Sequence, residues 1–227
     1  MLLLERNCGS ATLASAELDG ATALFACAEE GHVDCARLLL AAGADVHALK
    51  EDGTTPLLAA SARGHATLCA VLLLAGSNVA REKETTGCTA LHLACQEGFD
   101  EVCSVLLAHG ANANAVRFSD GASPLLLAAQ EGHLACLEVL LASSTHSASN
   151  ADEGLDLDAL NTHGESALFV ACAGGEAECA AALLDHGASV DLETPDGMTG
   201  LLFASQVGDD VVFCCSARWE MLSTFCL

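Results

Sequence analysis

The chain has no tyrosine, one tryptophan and seven phenylalanines among 227 residues, so aromatic residues make up only 4%. Any surface built from it lacks the aromatic anchors that dominate tight protein interfaces, which points to modest affinity. Positive charge is as scarce: 8 lysines and arginines stand against 31 acidic residues, giving a formal net charge of −23. Nucleic acid and anionic membrane are poor partners for such a chain, and a basic protein surface is a better one. No apolar run approaches the ~18 residues of a membrane span. The opening MLLLERN is too short and too soon charged for a secretory signal, so the expected setting is cytoplasmic or nuclear. There is no glycine loop with a lysine to cradle phosphate, and no serine elbow. Nothing in these residues points to an enzyme, a cofactor or a catalytic group.

What the chain does have is a period. Glycines fall at Gly20, Gly53, Gly87, Gly121, Gly164 and Gly197, at steps of 33, 34, 34, 43 and 33 residues. Two positions after each comes a small hydroxyl residue: Thr22, Thr55, Thr89, Ser123, Ser166 and Thr199. A hydroxyl there caps a helix by accepting a bond from a free backbone N–H of the first turn. Pro56 and Pro124 follow at a first helical position, where a missing N–H costs nothing. A second glycine series closes each helix (Gly31, Gly64, Gly98, Gly132, Gly175 and Gly208), since glycine takes the left-handed stop without strain. In the stretch from Gly87 to Asn114, the pattern predicts one helix ended by Gly98 and another ended by Gly110. Helices this short cannot bury their apolar faces alone and need neighbours of the same shape.

The segments TTPLLAASARGH, CTALHLACQEGF and ASPLLLAAQEGH, at this period, resemble the ankyrin repeat. The resemblance spans roughly residues 19–213. It implies an all-α solenoid of helix-turn-helix units joined by short hairpin loops, with about five full repeats and partial terminal units. First helices would line a concave groove and second helices the convex back. It also implies a non-enzymatic protein-interaction module, although fold alone names no partner. Two other readings stand beside it. The chain would be the recognition fragment of a larger regulator, such as a ubiquitin-ligase adaptor or an ankyrin-linked kinase or channel; or its thiols would make it a redox sensor.

Thirteen cysteines call for an account. Cys27, Cys95 and Cys172 replace alanines on first helices, while Cys35, Cys136 and Cys179 share one second-helix column with Leu68 and Val102. In those places cysteine acts as a small buried hydrophobe, and these six together with Cys103 are expected to be reduced and buried. Cys88, His92 and Cys95 have the spacing of a soft-metal face on one helix, but Cys88 precedes the Thr89 cap and no fourth ligand is near. The resemblance gives His92 a role in local hydrogen bonding, and no metal site is expected.

Taken in order, residues 1–18 read as a partial repeat or cap, with Leu2 to Leu4 as a remnant helix. Units follow at 19–51, 52–85 and 86–119. The fourth, 120–162, carries an insertion over 143–158, rich in Ser, Asp and Asn, and Ala159 restores the frame. That composition is a solvated loop and is expected to be the most mobile internal segment. A fifth unit covers 163–195 and a degenerate one 196–213. Residues 214–227 form a divergent apolar tail, expected to self-associate or to require a continuation.

In the related repeats the partner meets the hairpin tips and the residues before each helix-ending glycine. Here those positions are Glu51, Asp52, Thr54 and Asp120 on the tips, and Glu29, Glu30, Arg63, Gln96, Glu97, Gln130 and Glu131 at the helix ends. Arg63 is the sole cation among them. Glu30, Glu97 and Glu131 share one repeat position and should form an acidic row facing a basic segment of a partner. Asn114, with Leu106 eight residues before it, resembles an asparaginyl hydroxylation site; its plain reading is a hairpin-stabilising residue.

Overall fold

The computed structural model describes residues 22–143 and 154–207. Within them are eleven helices and no strand. The helices come in pairs: α1 (Ala23–Glu30) with α2 (Val33–Ala41), α3 (Pro56–Ala62) with α4 (Ala66–Leu74), and α5 (Ala90–Glu97) with α6 (Asp100–Ala108). Then follow α7 (Pro124–Gln130) with α8 (Leu134–Ser143), α9 (Ala167–Gly174) with α10 (Ala177–Asp185), and α11 (Gly200–Val207).

The first-row helices start where the sequence says they should. Thr22, Thr55, Thr89, Ser123 and Ser166 accept a bond from the backbone N–H three residues on, at Phe25, Leu58, His92, Leu126 and Phe169. Pro56 and Pro124 occupy the first turn. Gly98 and Gly110 both sit in the left-handed region, at φ of 81° and 84°.

Helices of seven to ten residues are stable here only through packing. First helices stack into one row, α1 on α3, α3 on α5, α5 on α7, α7 on α9 and α9 on α11. Second helices stack into another, from α2 through α4, α6 and α8 to α10. A first helix is flanked on three sides, so Pro56 to Ser61 and Ala167 to Cys172 are buried without a break. The second row buries one stripe only: Leu68, Cys69, Leu72 and Leu73 on α4, Cys136, Leu137, Leu140 and Leu141 on α8. Together they form one continuous apolar layer along the array, as expected where each repeat touches only its neighbours.

A second contact fastens the repeats. The residue after each helix-ending glycine lies on the glycine of the repeat before it: His65 on Gly31, Phe99 on Gly64, His133 on Gly98. A Cβ at any of these three glycines would stand 2.7 Å from the ring. The histidines use the position further, His65 Nε2 donating to the Glu29 carbonyl at 3.0 Å and His133 Nε2 to that of Gln96 at 3.1 Å.

Three expectations are corrected. Cys35 is exposed, because among the described residues α2 has no second-row helix before it, whereas Leu68, Val102, Cys136 and Cys179 all pack against one and are buried. Leu38, on the same helix, is exposed for the same reason. The insertion is narrower than residues 143–158: Ser143 closes α8, and residues 154–158 already run as an ordinary inter-repeat loop. Leu155 and Leu157 there pack on the core, so the frame resumes at Gly154, not Ala159. The remaining residues of the insertion, 144–153, the N-terminal unit at 1–18 and the tail at 214–227 lie outside the described residues.

Candidate partner-binding face

One hairpin joins each pair of repeats, and the same bonds close it each time. The Lys50 N–H donates to the Thr54 carbonyl at 3.0 Å and the Gly53 N–H to that of Lys50 at 3.0 Å; Lys83 and Gly87, then Arg117 and Gly121, repeat the arrangement. Asn161 and Thr194 hold the same place in the last two hairpins. This position alternates chemistry along the array: three cations, then two neutral residues.

The three cations reorganise the acidic edge. Lys50 Nζ lies 3.7 Å from the Glu29 carboxylate and 4.4 Å above the Phe25 ring. Lys83 Nζ reaches back to Asp52 at 2.8 Å and holds its carboxyl down at about 2, helped by the Thr54 N–H. Arg117 grips Asp120 with two parallel bonds of 2.6 and 2.5 Å, which hold that carboxyl below its usual range. It also donates to the Gln96 side chain at 3.2 Å. Of the candidate face, Glu29, Asp52, Gln96 and Asp120 are therefore already engaged inside the molecule. The signal was present, since Lys50, Lys83 and Arg117 recur at one period, three residues before each opening glycine or four.

What remains free is narrower and better defined. Glu30 and Glu97 are the last residues of α1 and α5, and Arg63 and Glu131 are the C-caps of α3 and α7. All four are exposed, and none takes part in an ion pair among the described residues. Gln130 donates to Glu131 at 3.1 Å. Glu51 is exposed at its hairpin tip and Thr54 is half-buried.

His92 is fully buried. The Thr89 N–H donates to its Nδ1 at 3.1 Å, which puts the ring proton on Nε2, and Nε2 donates to the Ala122 carbonyl at 3.2 Å. Burial lowers its pKa to about 4 against the pull of those carbonyl bonds, so it stays neutral at physiological pH. Both nitrogens are committed to the backbone of two successive repeats. Cys88 lies in the hairpin before the cap, as its position relative to Thr89 implies, with Arg117 Nη1 4.0 Å from its sulfur.

Asn114 joins two repeats: its Nδ2 donates to the Gly154 carbonyl and its Oδ1 accepts from the Asp156 N–H, both at 2.9 Å. Sequence alone suggested a residue stabilising its own hairpin; the bond reaches the next one. Asp158 does the same one repeat on, accepting from the Ser189 N–H and hydroxyl.

The buried thiols are placed to pack. Cys27, Cys95, Cys103, Cys136, Cys172 and Cys179 are all buried. Burial pushes Cys69 and Cys179 up to about 11, the latter helped by Glu176, Glu178 and Glu138. A buried thiol that holds its proton is a poor nucleophile, which counts against a sensor.

Comparison with known families agrees with the geometry. A model of ankyrin repeats in three copies matches residues 1–83 and 58–152, and a model of the single ankyrin repeat matches 163–195. No curated protein sequence matches the chain. Ankyrin repeats are generally protein–protein interaction modules, and proteins built from them are typically not enzymes. With paired helices in two stacked rows, capped hairpins and family matches over most of its length, this chain belongs to the ankyrin-repeat family.

Proposed function

We propose that the chain binds a basic segment of a protein partner across the exposed ends of its first-row helices, with Glu30, Glu97 and Glu131 as the contacts. One observation carries this reading: these carboxylates stand at the ends of helices that have no basic residue in the last turn. A helix C-terminus already carries a partial negative charge and favours cations, each interaction being worth about 0.3–1 kcal/mol. Carboxylates there work against the array, and so do their neighbours, since stacked helices lie roughly 8–10 Å apart, about a Debye length at physiological salt. A lysine- or arginine-bearing segment laid along the row relieves both. The gain is chiefly in association rate and selectivity, because exposed ion pairs add little affinity each.

The test compares two triple variants of equal charge. Reversing Glu30, Glu97 and Glu131 to lysine should abolish capture of the partner from native lysate and flatten the salt dependence of binding. Reversing Glu101, Glu138 and Glu178, exposed on the second row, should leave capture largely intact. Equal losses from both sets would mean that only the diffuse negative field matters.

A further inference from the structure

Among the described phenylalanines, Phe25 and Phe169 are buried, Phe99 and Phe203 are half-buried against the core, and Phe118 alone lies open, 63% exposed on the third hairpin. Counted from the residue that closes each hairpin, its column otherwise holds Glu51, Glu84, Thr162 and Pro195. Glu84, Thr162 and Pro195 lie on the opening glycine of the preceding hairpin, as Phe118 lies on Gly87. The fold therefore needs a side chain against that glycine but not an aromatic ring. The open area of the Phe118 ring is surplus to that packing.

Its neighbours are open and apolar as well. Val116 is 54% exposed, and Leu160, at the same place in the next hairpin, is 48% exposed. Residues 114–120 are tied to 156–162 at both ends in one register. The Asp156 N–H donates to Asn114 Oδ1 and the Thr162 N–H to the Asp120 carbonyl, each across 42 positions. In that register Phe118 stands opposite Leu160. The same hairpin is bound to the end of α5, where Arg117 holds Gln96, the residue before Glu97. Arg117 is itself balanced by Asp120, so it does not oppose an incoming cation.

We propose that Phe118, with Val116 and Leu160, anchors one large aliphatic side chain carried by the basic segment, resting on the acidic row as the seat of that segment's charges. The two features divide the work. Exposed carboxylates steer and select but add little affinity each, whereas apolar area removed from water supplies affinity directly. An aliphatic side chain fits better than a cation laid on the ring, because Val116 and Leu160 would strip water from a charge and return nothing. A second copy of this chain is a poor occupant, since each copy carries a formal charge of −23 and repels the other.

The test titrates two peptides of equal charge, KKGLGKK and KKGSGKK, acetylated and amidated, onto the full chain and follows them by nitrogen-15 NMR. The leucine peptide should bind about fivefold more tightly or better and shift the amides of Val116, Phe118 and Leu160. Phe118→Thr places there the residue found at position 162, so the array should keep its fold by circular dichroism while the two peptides bind alike. Leu74→Ala removes another exposed leucine, on the second row, and should leave the preference intact. The anchor is overturned if the parent binds both peptides alike, if Phe118→Thr keeps the preference, or if Leu74→Ala also erases it. The triple change of Glu30, Glu97 and Glu131 to lysine separates the two readings. Peptides that bind alike to the parent and are both lost in the triple variant leave the row standing and remove the anchor. A leucine preference that survives the triple variant at full strength keeps the anchor and removes the row. No binding of either peptide to the parent overturns both.

Discussion

The first three hairpins and the last two solve one problem with different chemistry. Lys50, Lys83 and Arg117 tie the early hairpins to nearby carboxylates and to Gln96. After Arg117 the next lysine or arginine is Arg218, and the later repeats are joined by Asn114 and Asp158, which reach from loop to loop. The early loops lack that bridge, and between the first two a cleft remains. One repeat therefore tolerates two fastenings, because the apolar layer beneath carries most of the stability and leaves the edge free to vary. The fastenings differ in what disturbs them: exposed ion pairs weaken with salt, and neutral hydrogen bonds do not.

The early repeats also share the ring-on-glycine contact, whereas Glu176 takes the place of the ring against Gly132 in the later region, and breaking the ring contact should have the largest effect. Gly98→Val forces a β-branched residue into the left-handed region and drives its side chain into the His133 ring. The expected loss is about 4 kcal/mol in urea unfolding, from strain and overpacking together. Gly110→Val meets nothing within 4 Å and should cost about half as much, from strain alone. Equal losses would mean that the ring contact is irrelevant.

Acid should act where the two regions meet. His92 has its pKa lowered to about 4 in the folded state, against ~6.5 unfolded. The unfolded chain therefore binds the extra proton between those values, so stability is full above pH ~6.5 and is lost as pH falls towards 4, by roughly 3 kcal/mol. His92→Leu, the residue found at the matching positions 58 and 126, should flatten thermal stability across that window while costing about 1 kcal/mol at neutral pH for the lost cap. An unchanged pH profile in the variant would assign the acid sensitivity to other groups.

The two fastenings themselves should give the smallest changes. Asn114→Ala removes the bonds to Gly154 and Asp156 and should cost about 1 kcal/mol at any salt concentration. Lys83→Met removes the pair with Asp52 and should cost about 0.5 kcal/mol at low salt and nothing measurable in molar salt. If the two variants respond to salt alike, the contrast between the regions is not electrostatic.

Much of this was legible beforehand because it is local. The hydroxyl two residues past each glycine fixes a helix start, and the glycine nine residues further fixes its stop; both act through backbone groups within one turn. Cysteine burial was legible from column identity, and failed only at Cys35, where a buried column needs a helix on its far side. The candidate binding face was read from the same columns. Glu30, Arg63, Glu97 and Glu131 are exposed and take part in no ion pair among the described residues, whereas the tip carboxylates at Asp52 and Asp120 belong to Lys83 and Arg117.

Sequence by itself determined the family, the repeat frame, the caps and the deep charge imbalance, since each follows from residue type at a fixed spacing. Only the tertiary structure decided which charges remain free. Lys83 meets Asp52 across 31 positions, and Arg117 meets Gln96 across 21, because stacking sets the hairpins side by side. It also decided that Asn114 binds the following loop. Such contacts depend on the distance between neighbouring repeats, and that distance is set by how the apolar layer packs.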